Sequence, residues 1–89
     1  MSYEEFKALV REIAESRPRQ GGLVPIPELW KRCRDRLPRP AFEQFVISLG
    51  ADGLVHLLSH VDTPSLSDAV RADCVRHSTG PLLYWIRWL

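Results

Sequence analysis

Apolar residues recur along this chain in two different rhythms. Phe6, Leu9, Val10 and Ile13 fall at i, i+3, i+4 and i+7, the spacing of a helix with one buried stripe. Ser2 and Glu5 stand at capping-box spacing before that stripe, so the pattern predicts a helix over 2–16. Pro18 and the pair Gly21-Gly22 stop it. Leu23-Val24-Pro25-Ile26 is apolar and extended, at most an edge strand, because Pro25 has no N–H to donate. Pro27 suits the first turn of a second helix. Ile26, Leu29, Trp30, Cys33 and Leu37 form its stripe, and Lys31, Arg32, Arg34, Asp35 and Arg36 take the opposite face. Pro38-Arg39-Pro40 makes a tight connection to a third helix, where Phe42, Phe45, Val46 and Leu49 repeat the spacing. Gly53 is placed to be the glycine just past its end. Gly50, inside the helix, costs about 1 kcal/mol relative to Ala, and no neighbouring residue accounts for it.

From Leu54 to Val61 the period becomes that of a strand, and Asp62-Thr63-Pro64-Ser65 is a turn. Ser67 to His77 is expected as a short helix with Leu66, Val70 and Cys74 on one side. Ser78-Thr79-Gly80-Pro81 breaks the chain before a last strand, Leu82 to Leu89. That strand is apolar on both faces: Leu82, Tyr84, Ile86 and Trp88 alternate with Leu83, Trp85, Arg87 and Leu89. The chain has 89 residues, 45% apolar and 26% charged, which fits one globular domain over 1–89 with one core. The expected class is mainly α with a small β-hairpin. The order is helix, short strand, helix, tight turn, helix, strand, long connection, strand. With the stripes 29/30/33/37 and 42/45/46/49, it resembles a winged helix-turn-helix domain over nearly the whole chain. The resemblance rests on element order and names a superfamily only. The expected architecture is a three-helix core with an extended, helix-containing wing, its insertion spanning about 62–81, far longer than the usual few residues.

The resemblance implies that the third helix enters the major groove of duplex DNA and that the hairpin touches the backbone. On the outward face of 40–52, Gln44 and Ser48 are then the candidate base contacts, beside Ala41, Glu43, Ile47 and Ala51. That face has no Lys or Arg. The net charge of +1 also excludes a histone-like balance, but it conceals a split. Residues 1–39 carry nine basic and six acidic groups, while residues 40–89 carry three basic and five acidic groups. Lys31, Arg32, Arg34, Arg36 and Arg39, less Asp35, give +4 within nine residues. In a helix-turn-helix the second helix crosses the phosphate backbone, so these five cations are the expected sequence-independent contacts. Arg17 and Arg19 add to them if the first loop folds to the same side. The plainer role of such a run is a solvated face that keeps a small domain soluble. With the resemblance added, a DNA-binding module of transcriptional or accessory kind is the leading expectation.

The competing expectation is a winged-helix adaptor that docks a protein, or a second copy, through Ile47 and the Leu83/Trp85/Leu89 strand face. His56, His60, Cys74 and His77 imitate a zinc set, but residues 56 and 60 of an extended strand stand about 13 Å apart, too far for one tetrahedral ion. No metal, cofactor or catalytic site is expected: no phosphate-binding loop, dinucleotide fingerprint or HExxH is present, and no third group orients the Cys/His pair. Trp30, Trp85 and Trp88 are candidate stacking platforms for single-stranded nucleic acid, although Trp30 and one of the other two belong more naturally in the core. The N-terminal residues lack a secretory pattern, no apolar run approaches the roughly 20 residues of a membrane span, and Cys33 and Cys74 are not in a CxxC. A cytoplasmic protein with reduced thiols is expected.

Overall fold

A computed structural model of the chain describes residues 1–76 and 80–89. Helix α1 spans Tyr3–Glu15 and begins with the anticipated capping box: the Glu5 N–H donates to Ser2 Oγ, and the Ser2 N–H donates to Glu5 Oε1. A 3-10 turn, Pro18–Gln20, leads through Gly21 and Gly22, both at positive φ, into β1, Leu23–Pro25. Helix α2 follows at once over Ile26–Cys33, and α3 spans Arg39–Ala51. Strand β2 is Val55–Ser59. A second 3-10 turn, Thr63–Ser65, precedes α4, Asp68–Asp73, then β3, Val75–Arg76, and finally β4, Leu82–Trp88.

Among the described residues the result is a small α/β unit of four helices and one antiparallel four-stranded sheet. β4 is the central strand. β2 lies along one edge of it; β1 pairs with its C-terminal half and β3 with its first residues on the other edge. The core fills the space between one sheet face and α1, α2 and α3. Phe6, Val10, Leu29, Phe42, Val46 and Leu49 meet Val24 and Ile86 there, all with no exposed surface. Phe6 and Phe42 pack edge to face with ring centroids 5.9 Å apart. Burying one such aromatic contributes roughly 1.5–3 kcal/mol, so the predicted stripes are where the stability resides. Trp30 is half-buried against Phe42, at 4.9 Å.

Three local features decide how the elements meet. Gly53, at φ +73°, closes α3 as a Schellman motif: its N–H donates to Gly50 O and the Leu54 N–H donates to Leu49 O. Gly50 is explained by tertiary packing, because a Cβ there would stand 2.9 Å from Leu57 Cδ1 on β2. The third feature is a β-bulge. Leu58 pairs with Trp85 but Ser59 pairs with Leu83, so Tyr84 is an extra residue in β4.

Four expectations are corrected. In place of a small hairpin, the described residues form a four-stranded sheet, and α2 ends at Cys33, short of the Leu37 that its stripe anticipated. The helix anticipated over 67–77 is only six residues long, because Cys74 is extended and Val75–Arg76 pair with β4. Its last anticipated residue, His77, and the break at Ser78 and Thr79 lie outside the described residues. The strict alternation anticipated for the last strand also fails. The bulge turns Leu83 into the core along with Ile86, while Tyr84 and Trp85 both stand away from it. Among the described residues, no helix is long and apolar enough to cross a membrane.

Candidate functional site

Helix α2 and its following turn carry the basic run. Lys31 and Arg32 occupy the last turn of α2, Arg34 caps it, and Arg36 lies in the turn; all four are exposed. Their stripe partners Leu29, Cys33 and Leu37 are buried, so packing of that stripe holds the cations outward. None of the four makes an ion pair among the described residues. Other cations do: Lys7 with Glu4 at 2.8 Å, Arg11 with Glu15 at 2.9 Å, Arg17 with Glu28, and Arg71 with Asp68. The unpaired set has its own local reason to exist, since cations at a helix C-terminus complement the backbone dipole.

Arg17 is therefore not a phosphate cation in waiting. It grips Glu28 with both guanidinium nitrogens, one bond measuring 3.0 Å, and so ties the end of α1 to α2. The bound guanidinium holds the Glu28 carboxyl below its ordinary range. Arg19 remains exposed.

Arg39 departs furthest from its anticipated role. Its guanidinium donates to the carbonyls of Ala72 at 3.2 Å, Asp73 at 3.2 Å and Cys74 at 2.6 Å. The same group lies 5.0 Å from the Trp30 ring and 5.3 Å from Phe42, with Glu43 at 3.8 Å. It is a clamp joining the start of α3 to the end of α4, and it satisfies carbonyls that a helix terminus leaves without partners. Helix α4 has no buried residue of its own and packs against α2. The segment that carries α4 thus folds back onto α2 and the start of α3.

On α3, Gln44 is exposed and Ser48 half-buried, with Gln44 Nε2 donating to Ser48 Oγ at 3.5 Å. Ala41 and Ile47 are half-buried against the core, and Glu43 answers Arg39. Of the alternative docking set, Ile47 is in that position on α3, Leu83 is 6% exposed in the core, and Leu89 is exposed at the chain end. Only Trp85 stands on the outer face of the sheet, and these four do not form one surface. Trp88 packs against the core cluster.

His56 is exposed on β2, His60 lies just past it, and the buried Cys74 thiol donates to Val70 O at 3.3 Å; His77 is outside the described residues. Among the described residues no group of three metal-ligating side chains converges. Cys33 and Cys74 are both free and buried, and burial pushes both thiols up. Three features had no signal in the sequence: the Arg39 clamp, the Tyr84 bulge and the Gly50–Leu57 contact. Each depends on residues far apart in the chain. The chain matches no known family model, and no curated protein or solved structure matches it either.

Proposed function

We propose that this chain is a cytoplasmic winged helix-turn-helix domain that binds duplex DNA through the phosphate backbone. The supporting observation is the exposed quartet Lys31, Arg32, Arg34 and Arg36, which makes no ion pair among the described residues, on a chain that pairs several of its other cations. The placement of β4 between β1 and β2, with α2, a turn and α3 on one face, supports the winged-helix assignment. Gln44 and Ser48 remain the candidate base contacts on α3. Arg39 leaves the set of phosphate contacts, because its guanidinium is committed to α4.

Four phosphate contacts set the size of the effect. Counterion release with a slope of about −0.9 per contact weakens binding about 150-fold between roughly 50 and 200 mM salt. Replacing Arg32 and Arg36 with Ala leaves two contacts and reduces the loss over that interval to about 12-fold. Titrating the wild type and the double variant with a generic duplex at several salt concentrations measures both slopes. Absence of binding at low salt, or a slope unchanged in the double variant, overturns the proposal.

A further inference from the structure

We infer that the outer face of the sheet is a separate platform for single-stranded nucleic acid, with Trp85 as its stacking surface. This inference does not depend on the duplex reading. Helices α1, α2 and α3 fill one side of the sheet, and α4 packs on α2. On the opposite side, strand register sets two rows across β1, β4 and β2. One is Pro25, Trp85 and Leu58; the other is Leu23, Arg87 and His56. Leu58 is 38% exposed and Trp85 half-exposed, and a shallow cavity of about 270 Å³ opens between Leu23, Pro25, Trp85 and Arg17.

The bulge extends this face. By inserting Tyr84 it places two consecutive aromatic rings together, their centroids 4.6 Å apart. His60 completes the cluster, edge-on to Tyr84 at 4.9 Å and within 12° of parallel to Trp85 at 6.5 Å. The Asp62 N–H donates to His60 Nδ1 at 3.0 Å and fixes that ring. Three rings are thus ordered before any ligand arrives, which lowers the entropic cost of stacking a base on them.

Charge selects the occupant. None of the four strands contains an Asp or Glu, and their charged residues are Arg76 and Arg87. Of the carboxylates beside them, Glu28 is neutralised by Arg17 and Asp62 lies past the end of β2. Arg87 is two residues from Trp85 on the same face, about 7 Å along the strand. An aromatic, apolar surface whose strands carry Arg76 and Arg87 and no carboxylate, with Asp62 only at its His60 end, fits a ligand that offers flat π-faces and negative charge at once. A single strand offers both, whereas a duplex hides its base faces in the stack.

The test is fluorescence anisotropy of a labelled oligothymidylate of about 15 nucleotides, titrated with the full chain at low salt. Saturable binding is expected, weakened tenfold or more by Trp85→Ala, held within about threefold by Trp85→Phe, and reduced with a shallower salt slope by Arg87→Ala. The Arg32→Ala plus Arg36→Ala variant should bind the oligonucleotide as the wild type does, which separates this face from the duplex site. Three results overturn the inference: no binding, an abasic strand of equal length binding equally well, or full affinity in Trp85→Ala. A 20.4 kDa species in sedimentation, twice the chain's 10.2 kDa, that reverts to monomer in Trp85→Ala also overturns it, because a second copy then covers the face.

Discussion

Replacing Arg39 with Met removes the clamp between α3 and α4 while keeping an apolar side chain under Trp30 and Phe42. Three hydrogen bonds from a cation to carbonyls disappear, together with two cation–π contacts at 5.0 and 5.3 Å. A bond to a charged group contributes about 1.5–3 kcal/mol when well shielded. The Arg39 side chain is 27% exposed, and water can replace part of each bond, so about 0.5 kcal/mol per bond is the appropriate scale. Adding about 0.5 kcal/mol for the ring contacts gives a loss of about 2 kcal/mol. In a domain of this size that lowers Tm by roughly 8–16 °C. Circular dichroism melts and urea titrations read it directly. Arg39→Lys, which keeps a point charge but loses the fork, should recover at most about 1 kcal/mol. Glu43→Gln, breaking only the 3.8 Å pair, should cost about 0.5 kcal/mol or less. A second readout is local. Cys74 is 4% exposed and its own carbonyl is one of Arg39's acceptors, so Arg39→Met should make one thiol reactive towards a disulfide reagent well below the melting temperature. If Arg39→Met is as stable as the wild type and both thiols stay protected, the clamp does not hold α4. Arg39 then returns to the set of phosphate contacts.

Two further outcomes follow from single contacts. Gly50→Ala gains about 1 kcal/mol of helix propensity but sets a methyl 2.9 Å from Leu57 Cδ1, the far end of a flexible, half-buried side chain, so the two effects should roughly cancel and leave stability within about 0.5 kcal/mol of the wild type. In a Leu57→Ala background the same substitution should become stabilising; equal effects in both backgrounds, measured by urea denaturation, refute the packing argument. Burial and the 2.7 Å bond from its hydroxyl to Asp52 Oδ2 push the Tyr3 phenol up to about 12 from 10.0. The folded state therefore favours the neutral phenol, and the stability it contributes is complete below pH 10 and lost as pH rises through 12. An absorbance titration should show an ionisation near pH 12 that is missing in Tyr3→Phe; a Tyr3→Phe curve that keeps that phase refutes the assignment.

The three core helices were legible because their signal is local. A buried stripe must recur at i, i+3 and i+4 whatever it packs against, so Phe6–Ile13, Ile26–Cys33 and Phe42–Leu49 mark themselves, although α2 stops at Cys33 and Leu37 is buried from the turn beyond it. The Ser2/Glu5 box and the Gly53 cap are local in the same way, and both formed as anticipated. The last third of the chain was harder for a physical reason. Ser67, at the anticipated start of the helix, caps α4 by accepting from the Val70 N–H, but a six-residue helix with no buried side chain is held by partners outside it. Where it ends is decided by β4, which recruits Val75 and Arg76. The Tyr84 bulge is likewise a property of two strands together. Alternation in Leu82–Leu89 alone cannot reveal it, and one inserted residue was enough to exchange Leu83 with its neighbours between the two faces.

The basic run illustrates how equal charges in sequence become unequal in space. Lys31, Arg32, Arg34, Arg36 and Arg39 are close together in the chain, and electrostatics alone assigns them one role. Packing divides them. Arg39 sits at the first position of α3, over the adjoining rings of Trp30 and Phe42, where a guanidinium can reach the carbonyls at the end of α4; the other four project from α2 and its turn and make no ion pair among the described residues. The acidic second half of the chain therefore does not cancel the basic first half. One of its segments, α4, draws on a single cation, chiefly through neutral backbone carbonyls, and leaves the remaining four to the solvent side. A net charge of +1 is compatible with a cationic edge on α2 because the fold separates the signs, and it does so by tying α4 to an arginine that the rings of Trp30 and Phe42 shelter.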